Sequence, residues 1–156
     1  MSLRDLKTLM QTTLPICHSE IHGMKHWERV WSYGKAVGWS VDADMEVVEY
    51  FAFLHDCQRW DDGLDIGHGP RAAVFAKHHR TFIDLNDGQF KLLLRAISGH
   101  TDAMPGCKAG LNPTLATCWD ADRLDIDRVG IEVDPRYLFT DLGRELAFLK
   151  SEEGET

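Results

Sequence analysis

The 156-residue chain is patterned in helical periods. Apolar residues recur at spacings of three and four, and two-residue alternation is nearly absent, so a substantial sheet is not expected. Ser2 is a candidate cap for a first helix over 3–16, which Pro15 would distort or end. A second helix is predicted from about His22 to Val37 with Gly38 as its stop, and a third over 42–58 with Asp42 as N-cap. The segment DDGLDIGHG (61–69) reads as a loop, and Pro70 suits the first turn of a fourth helix running towards His79. Further helices are predicted over 87–99, ended near Gly99, over 114–129 with Thr114 as candidate cap, and over 135–150 with Pro135 near its first turn. The stretch 101–113, with two prolines and two glycines, reads as a loop. The expected architecture is all-α: a compact single-domain bundle of about six or seven helices, its core over about 20–130, followed by a C-terminal helix and a short polar tail.

Laying the helical period over the ionisable residues gives the chemical signal. His26, Val30, Tyr33 and Val37 share one face of the second helix. Val48, Phe51, Ala52 and His55 share one face of the third, with Asp56 one step round. Leu115, Cys118, Trp119, Asp122, Ile126 and Val129 form a stripe on the late helix. Three core-facing stripes thus each carry an ionisable residue. A single histidine on such a face is most often a core residue bonded to a carbonyl. A carboxylate in an apolar stripe needs a cation, a strong donor network or a proton, because burying it alone costs several kcal/mol. Together His26, His55, Asp56 and Asp122 make a 2-His-2-Asp set suited to Mn²⁺, Fe²⁺, Co²⁺, Ni²⁺ or Zn²⁺, with Mg²⁺ admitted if more water is kept. Asp120 lies about 200° from Asp122 around a helix and falls off the stripe, which favours Asp122 as ligand. Asp125, three residues on, is a candidate partner behind the ligands.

Composition narrows the context. A hydrophobic fraction of 44% and a charged fraction of 27% are those of an ordinary globular chain. A net charge of −8 argues against general nucleic-acid binding while leaving an anionic small molecule open, since a metal ion and a few arginines reverse the field inside a cleft. Cys17, Cys57, Cys107 and Cys118 form no CxxC pair, and read as scattered reduced thiols. The N-terminal MSLRDLKTLMQ has no apolar signal core, and no apolar run approaches the ~20 residues of a membrane span, so a soluble, cytoplasmic protein is expected.

The order of these residues resembles the HD-domain superfamily of metal-dependent phosphohydrolases. The early element is HWERV, with His26 three residues before Arg29; the doublet His55–Asp56 sits in FAFLHDCQRWDDG; the downstream element is WDADRLD, whose Ala-Asp-Arg-Leu core points to Asp122. The resemblance spans residues 22 to about 130. It implies the helical fold, one or two divalent ions, and hydrolysis of a phosphate ester, with a nucleotide among the candidate substrates. His68 in HGPRAA and His100 in LLRAISGH resemble positions that some members use for a second metal or for phosphate. His22, one turn before His26, is a candidate outer neighbour or a surface residue, and His78 and His79 are read as structural at a helix end.

The expected mechanism is attack by a metal-activated water, with Asp56 or a neighbour such as Asp61 as proton acceptor. Arg59, Arg71, His68 or His100 would stabilise the phosphoryl charge. Arg59 and Arg71 have ordinary salt bridges to Asp61, Asp62 or Asp65 as their equal alternative. Trp27, Trp31 and Trp60 are expected to serve packing rather than base stacking. Two rival readings remain open: a di-iron oxygenase using His68 and His100 for the second iron, and a non-enzymatic module stapled by metal or sensing a nucleotide. The partner is expected to be a phosphorylated small molecule, with oligomeric state left open.

Overall fold

The computed structural model describes the backbone of residues 1–107 and 111–154. Among the described residues, seven α-helices, α1 (Leu3–Thr13), α2 (Met24–Val41), α3 (Met45–Leu54), α4 (His68–His78), α5 (Asp87–Gly99), α6 (Pro113–Arg123) and α7 (Asp141–Gly154), are joined by loops and short 3₁₀ turns. The described residues contain no strand.

The bundle is organised around α3. Val47, Val48, Tyr50, Phe51, Ala52, Phe53 and Leu54 are all buried, so beyond Glu49 this helix is enclosed on every side and belongs in the middle. It packs between α2, α5 and α6, while α2 also lies along α6 and α4 along α5. Leu6 and Met10 of α1, Trp27 and Val30 of α2, and Leu93 and Ile97 of α5 close the core around it. The consequence is functional: a doublet placed directly after α3 ends up inside the molecule. Close approach is secured by small residues. A Cβ on Gly34 would lie 2.7 Å from Val48 Cγ1, so α2 can touch α3 here only with glycine.

Several boundaries differ from the periodic reading. Helix α2 runs through Gly38 to Val41; Gly38 is there because Met45 packs against it, a Cβ reaching within 2.6 Å of the Met45 Sδ. Asp42 is not the cap of α3. It ends α2 in a left-handed conformation at φ 55°, and Asp44 caps α3, its Oδ1 accepting from Val47 N at 3.3 Å. The predicted helix over 42–58 stops at Leu54, and His55 is its C-cap. The first helix ends at Thr13, with Pro15 opening a 3₁₀ turn over Pro15–His18. The helix predicted over 114–129 is Pro113–Arg123 followed by a 3₁₀ turn, Ile126–Val129. Its cap is Asn112, whose Oδ1 accepts from Thr114 N at 2.8 Å, while the Thr114 hydroxyl accepts from Asp44 N at 2.9 Å and ties α6 to α3. The C-terminal helix starts at Asp141 rather than near Pro135, which opens a 3₁₀ turn over Pro135–Tyr137. The helix over 87–99 is as expected, held by a capping box between Asn86 and Gln89. Within the loop read over 101–113, Pro105–Cys107 form a 3₁₀ turn; residues 108–110 lie outside the described residues.

Cys17, Cys57 and Cys118 are free, buried thiols. Burial pushes the Cys17 thiol up to about 11 and the other two higher still, so they serve packing rather than nucleophilic chemistry. The Cys107 side chain lies outside the described residues. Among the described residues, no helix is long and apolar enough to cross a membrane.

Candidate metal centre

Four side chains from three helices converge at the heart of the bundle. His26 comes from the first turn of α2, His55 from the C-cap of α3 with Asp56 just beyond it, and Asp122 from the last turn of α6. His26, His55 and Asp56 are all at most 2% exposed. The Nε2 atoms of His26 and His55 are 3.1 Å apart. Asp122 Oδ1 lies 3.4 Å from His26 Nε2 and 3.5 Å from His55 Nε2; Asp56 Oδ2 lies 3.6 and 3.8 Å from the same two atoms.

The hydrogen-bond network dictates what these atoms carry. His26 Nδ1–H donates to Asp125 Oδ2 at 2.7 Å, and Asp125 Oδ1 in turn accepts from Arg29 Nε at 2.8 Å. His55 Nδ1–H donates to the carbonyls of Phe51 and Ala52 at 3.2 and 3.1 Å. With both Nδ1 atoms donating, each neutral ring turns an Nε2 lone pair to the other. Asp56 Oδ2 and Asp122 Oδ1, beside those nitrogens, are buried without a hydrogen-bond partner. Facing lone pairs and orphaned carboxylate oxygens repel unless a cation lies among them. Separations of 3.1–3.8 Å match ligand atoms held about 2.0–2.2 Å from a common ion. The residues therefore fit a divalent metal.

A second trio is built on the same carboxylate. His68 Nε2 and His100 Nε2 are 2.8 Å apart, and lie 3.0 and 3.6 Å from Asp56 Oδ1. Their Nδ1 atoms donate to the carbonyls of Asp65 and Ile97, at 2.5 and 2.7 Å, so here too the Nε2 lone pairs converge. His68 opens α4 and His100 caps α5. Gly69 lets those two helix ends meet, since a Cβ there would lie 2.9 Å from Ile97 O and 3.3 Å from the His100 ring. His26, His55 and Asp56 form one group able to hold an ion, and Asp56, His68 and His100 a second. Asp56 thus turns one oxygen to each.

Charge is balanced tightly around these groups. Burial disfavours the charge on Asp56, but His55, His100 and His68 outweigh it and hold its carboxyl well below the ordinary range. Burial likewise opposes the charge on Asp122, and His26 and His55 overcome it. On His26 burial is outweighed by Asp122 and Asp125, which raise its pKa; His100 is raised against burial by Asp56 and Asp122. A proton on His26 or His100 and a metal ion would compete for the same nitrogen lone pair, so metal uptake competes with protonation.

The remaining candidates divide. Arg59 Nε donates to Asp56 Oδ1 at 3.2 Å and its Nη1 to Gly63 O at 3.0 Å, so it braces the doublet and the loop beyond it. Arg71 takes the salt-bridge alternative: it pairs with Asp65, donates to Gln58 O and stacks on Trp60 at 4.0 Å. Asp61 is exposed and its Oδ1 accepts from Gly63 N, which gives it a turn-forming bond in the loop. His22 is buried, not a surface residue, and donates Nδ1–H to Asp62 at 2.9 Å. Trp27 is fully buried and Trp60 exposed. Asp120 is also fully buried, contrary to its exclusion from the core, but against a different neighbour: it binds the chain entering α7. Sequence periodicity missed Arg128 altogether. Its Nη2 lies 3.9 Å from Asp56 Oδ2 and 3.8 Å from Asp122 Oδ1, and the only signal was a basic residue six positions beyond Asp122.

Asp125 orients His26 and raises its basicity, as carboxylates behind metal-bound histidines do. Asp125→Ala is expected to weaken metal binding by about 10- to 100-fold, read by titration of the metal-free protein.

No family model matches the chain, and no curated protein sequence matches it. A search of solved structures matches the crystal structure of a predicted HD superfamily hydrolase from an uncultured Thermotogales bacterium, with a TM-score of 0.70 and 21% identity over 98% of this chain and 92% of that one. The chain therefore has the fold expected from its resemblance to the HD superfamily.

Proposed function

We propose, on that shared fold and on the two ion-holding groups joined by Asp56, that this protein is a metal-dependent hydrolase of phosphate esters. The observation that carries the reading is the convergence of two imidazole lone pairs with two unpartnered carboxylate oxygens at one buried point. His26, His55, Asp56 and Asp122 would hold one divalent ion, and Asp56, His68 and His100 a second. Such an ion lowers the pKa of a water and polarises a phosphoryl oxygen.

The chain's own residues supply the rest. Asp125 and the α3 carbonyls lock His26 and His55 as Nε2 ligands. Arg59 holds Asp56 in register with the loop that carries Asp61 and Asp62. Burial of the cluster excludes bulk water, which strengthens each electrostatic contact with a phosphoryl group. The substrate is a phosphorylated small molecule, with nucleotides the first class to examine. A soluble, cytoplasmic setting fits this chemistry.

The test is elemental analysis of the purified protein, then a phosphate-ester panel with Mn²⁺, Co²⁺, Ni²⁺ and Mg²⁺ added in turn after chelation. Turnover is expected to vanish with the chelator, return with one of the ions, and be absent in His55→Ala. Full turnover by metal-free His55→Ala would overturn the reading. One observation favours a second: two histidine groups sharing one carboxylate also suit a pair of irons. Two irons per chain with oxygen uptake, and no esterase activity, would select that oxygenase. Metal that is needed for folding, with no turnover of any kind, would select a stapled binding module.

A further inference from the structure

Arg128 sits on the 3₁₀ turn after α6, with its side chain only 11% exposed. Two of its three nitrogens are committed to backbone. Nε donates to Ile21 O at 3.0 Å, just before α2, and Nη1 donates to Asp125 O at 2.9 Å. The guanidinium plane is therefore fixed between two segments, and Nη2 cannot swing away. That nitrogen stands 3.9 Å from Asp56 Oδ2 and 3.8 Å from Asp122 Oδ1, beyond hydrogen-bond length from both. These are the two carboxylate oxygens that have no partner.

A fixed cation in this place conflicts with metal binding taken alone. It repels an ion among the same oxygens, and a site evolved only to hold metal would do better with a neutral side chain. The conflict disappears if an anion accompanies the ion. We propose that Arg128 is the phosphoryl anchor of the site, its Nη2 donating to an oxygen of a phosphoryl group seated on the metal cluster. The proposal rests on the phosphate-ester reading and names the residue that grips the substrate. Arginine suits the task because two nitrogens can be pinned while the third stays free; lysine has one point charge and no such fork.

The test uses inorganic phosphate as probe and the metal as a separate ligand. Calorimetric titration of the Mn²⁺-loaded protein with phosphate, and of the metal-free protein with Mn²⁺, is carried out on wild type, Arg128→Gln and Arg128→Lys. Arg128→Gln is expected to lose about 10- to 100-fold in phosphate affinity, the range of one charge-assisted hydrogen bond, while its Mn²⁺ affinity holds or tightens. Arg128→Lys should fall between. Unchanged phosphate affinity in Arg128→Gln would overturn the proposal and leave the phosphate-ester reading standing, with Arg128 as a mere counter-charge. Equal loss of phosphate and metal affinity in both variants would also overturn it, as a structural role. Wild-type protein that takes up Mn²⁺ but no phosphate would overturn the proposal together with the reading beneath it.

Discussion

Replacing Asp122 with alanine is expected to cut metal affinity at least ~100-fold and remove phosphate-ester turnover, with a smaller effect on the melting temperature of the metal-free protein than Asp120→Ala. The asymmetry follows from what Asp122 Oδ1 does. Without an ion it is a buried oxygen with no hydrogen-bond partner, close to His26 and His55 but bonded to no backbone donor. Its removal leaves no backbone N–H orphaned, although it takes a counter-charge from His26 and Arg128. Its loss is felt most when an ion must be held. Elemental analysis and metal titration of the variant, beside a thermal scan after chelation, measure both halves. Wild-type metal content in Asp122→Ala would contradict the four-residue site.

Asp120→Ala should do the opposite two residues away. Asp120 is fully buried, and its carboxylate accepts from Phe139 N at 2.7 Å, Thr140 N at 2.8 Å and the Thr140 hydroxyl at 2.6 Å. Thr140 Oγ1 accepts in turn from Gly143 N at 2.9 Å, as an N-cap does for α7. The fit is close, for a Cβ on Gly143 would lie 2.3 Å from Asp120 Oδ2. Truncation strands two backbone donors at the entry to α7, a loss of about 3 kcal/mol and roughly 10 °C in melting temperature. Metal content of the folded fraction should stay at the wild-type level. A variant that melts normally but has lost its metal would show that Asp120, not Asp122, faces the ion.

The two aspartates also show how far the sequence could be read. A helical period distinguishes their directions, because residues two apart on a helix point about 200° from one another. It correctly separates Asp122 from Asp120 as occupants of different faces. It cannot say that both faces are buried, because the second is covered by a segment some 20 residues downstream that only the folded chain brings back. The same limit accounts for Arg71 and Arg59. Both follow the doublet, Arg59 directly and Arg71 across the intervening loop, yet Arg71 is drawn to Asp65 and Trp60 while Arg59 reaches Asp56. The loop that holds Arg59, and the Trp60 and Asp65 that receive Arg71 from α4, has no period from which direction could be inferred.

The order of the helices, and the presence of ionisable residues on apolar faces, were determined by the sequence alone, because the 3.6-residue period and the cost of burying charge are local facts. That period also places His26, His55 and Asp122 on core-facing stripes. Tertiary structure alone decided that they meet. It set their nitrogens and oxygens 3.1–3.8 Å apart, gave Asp56 a second face towards His68 and His100, and pinned Arg128 beside them. Distances between helices depend on how closely backbones pack, at Gly34 and Gly69 for example, and no pattern along one strand of sequence encodes that approach.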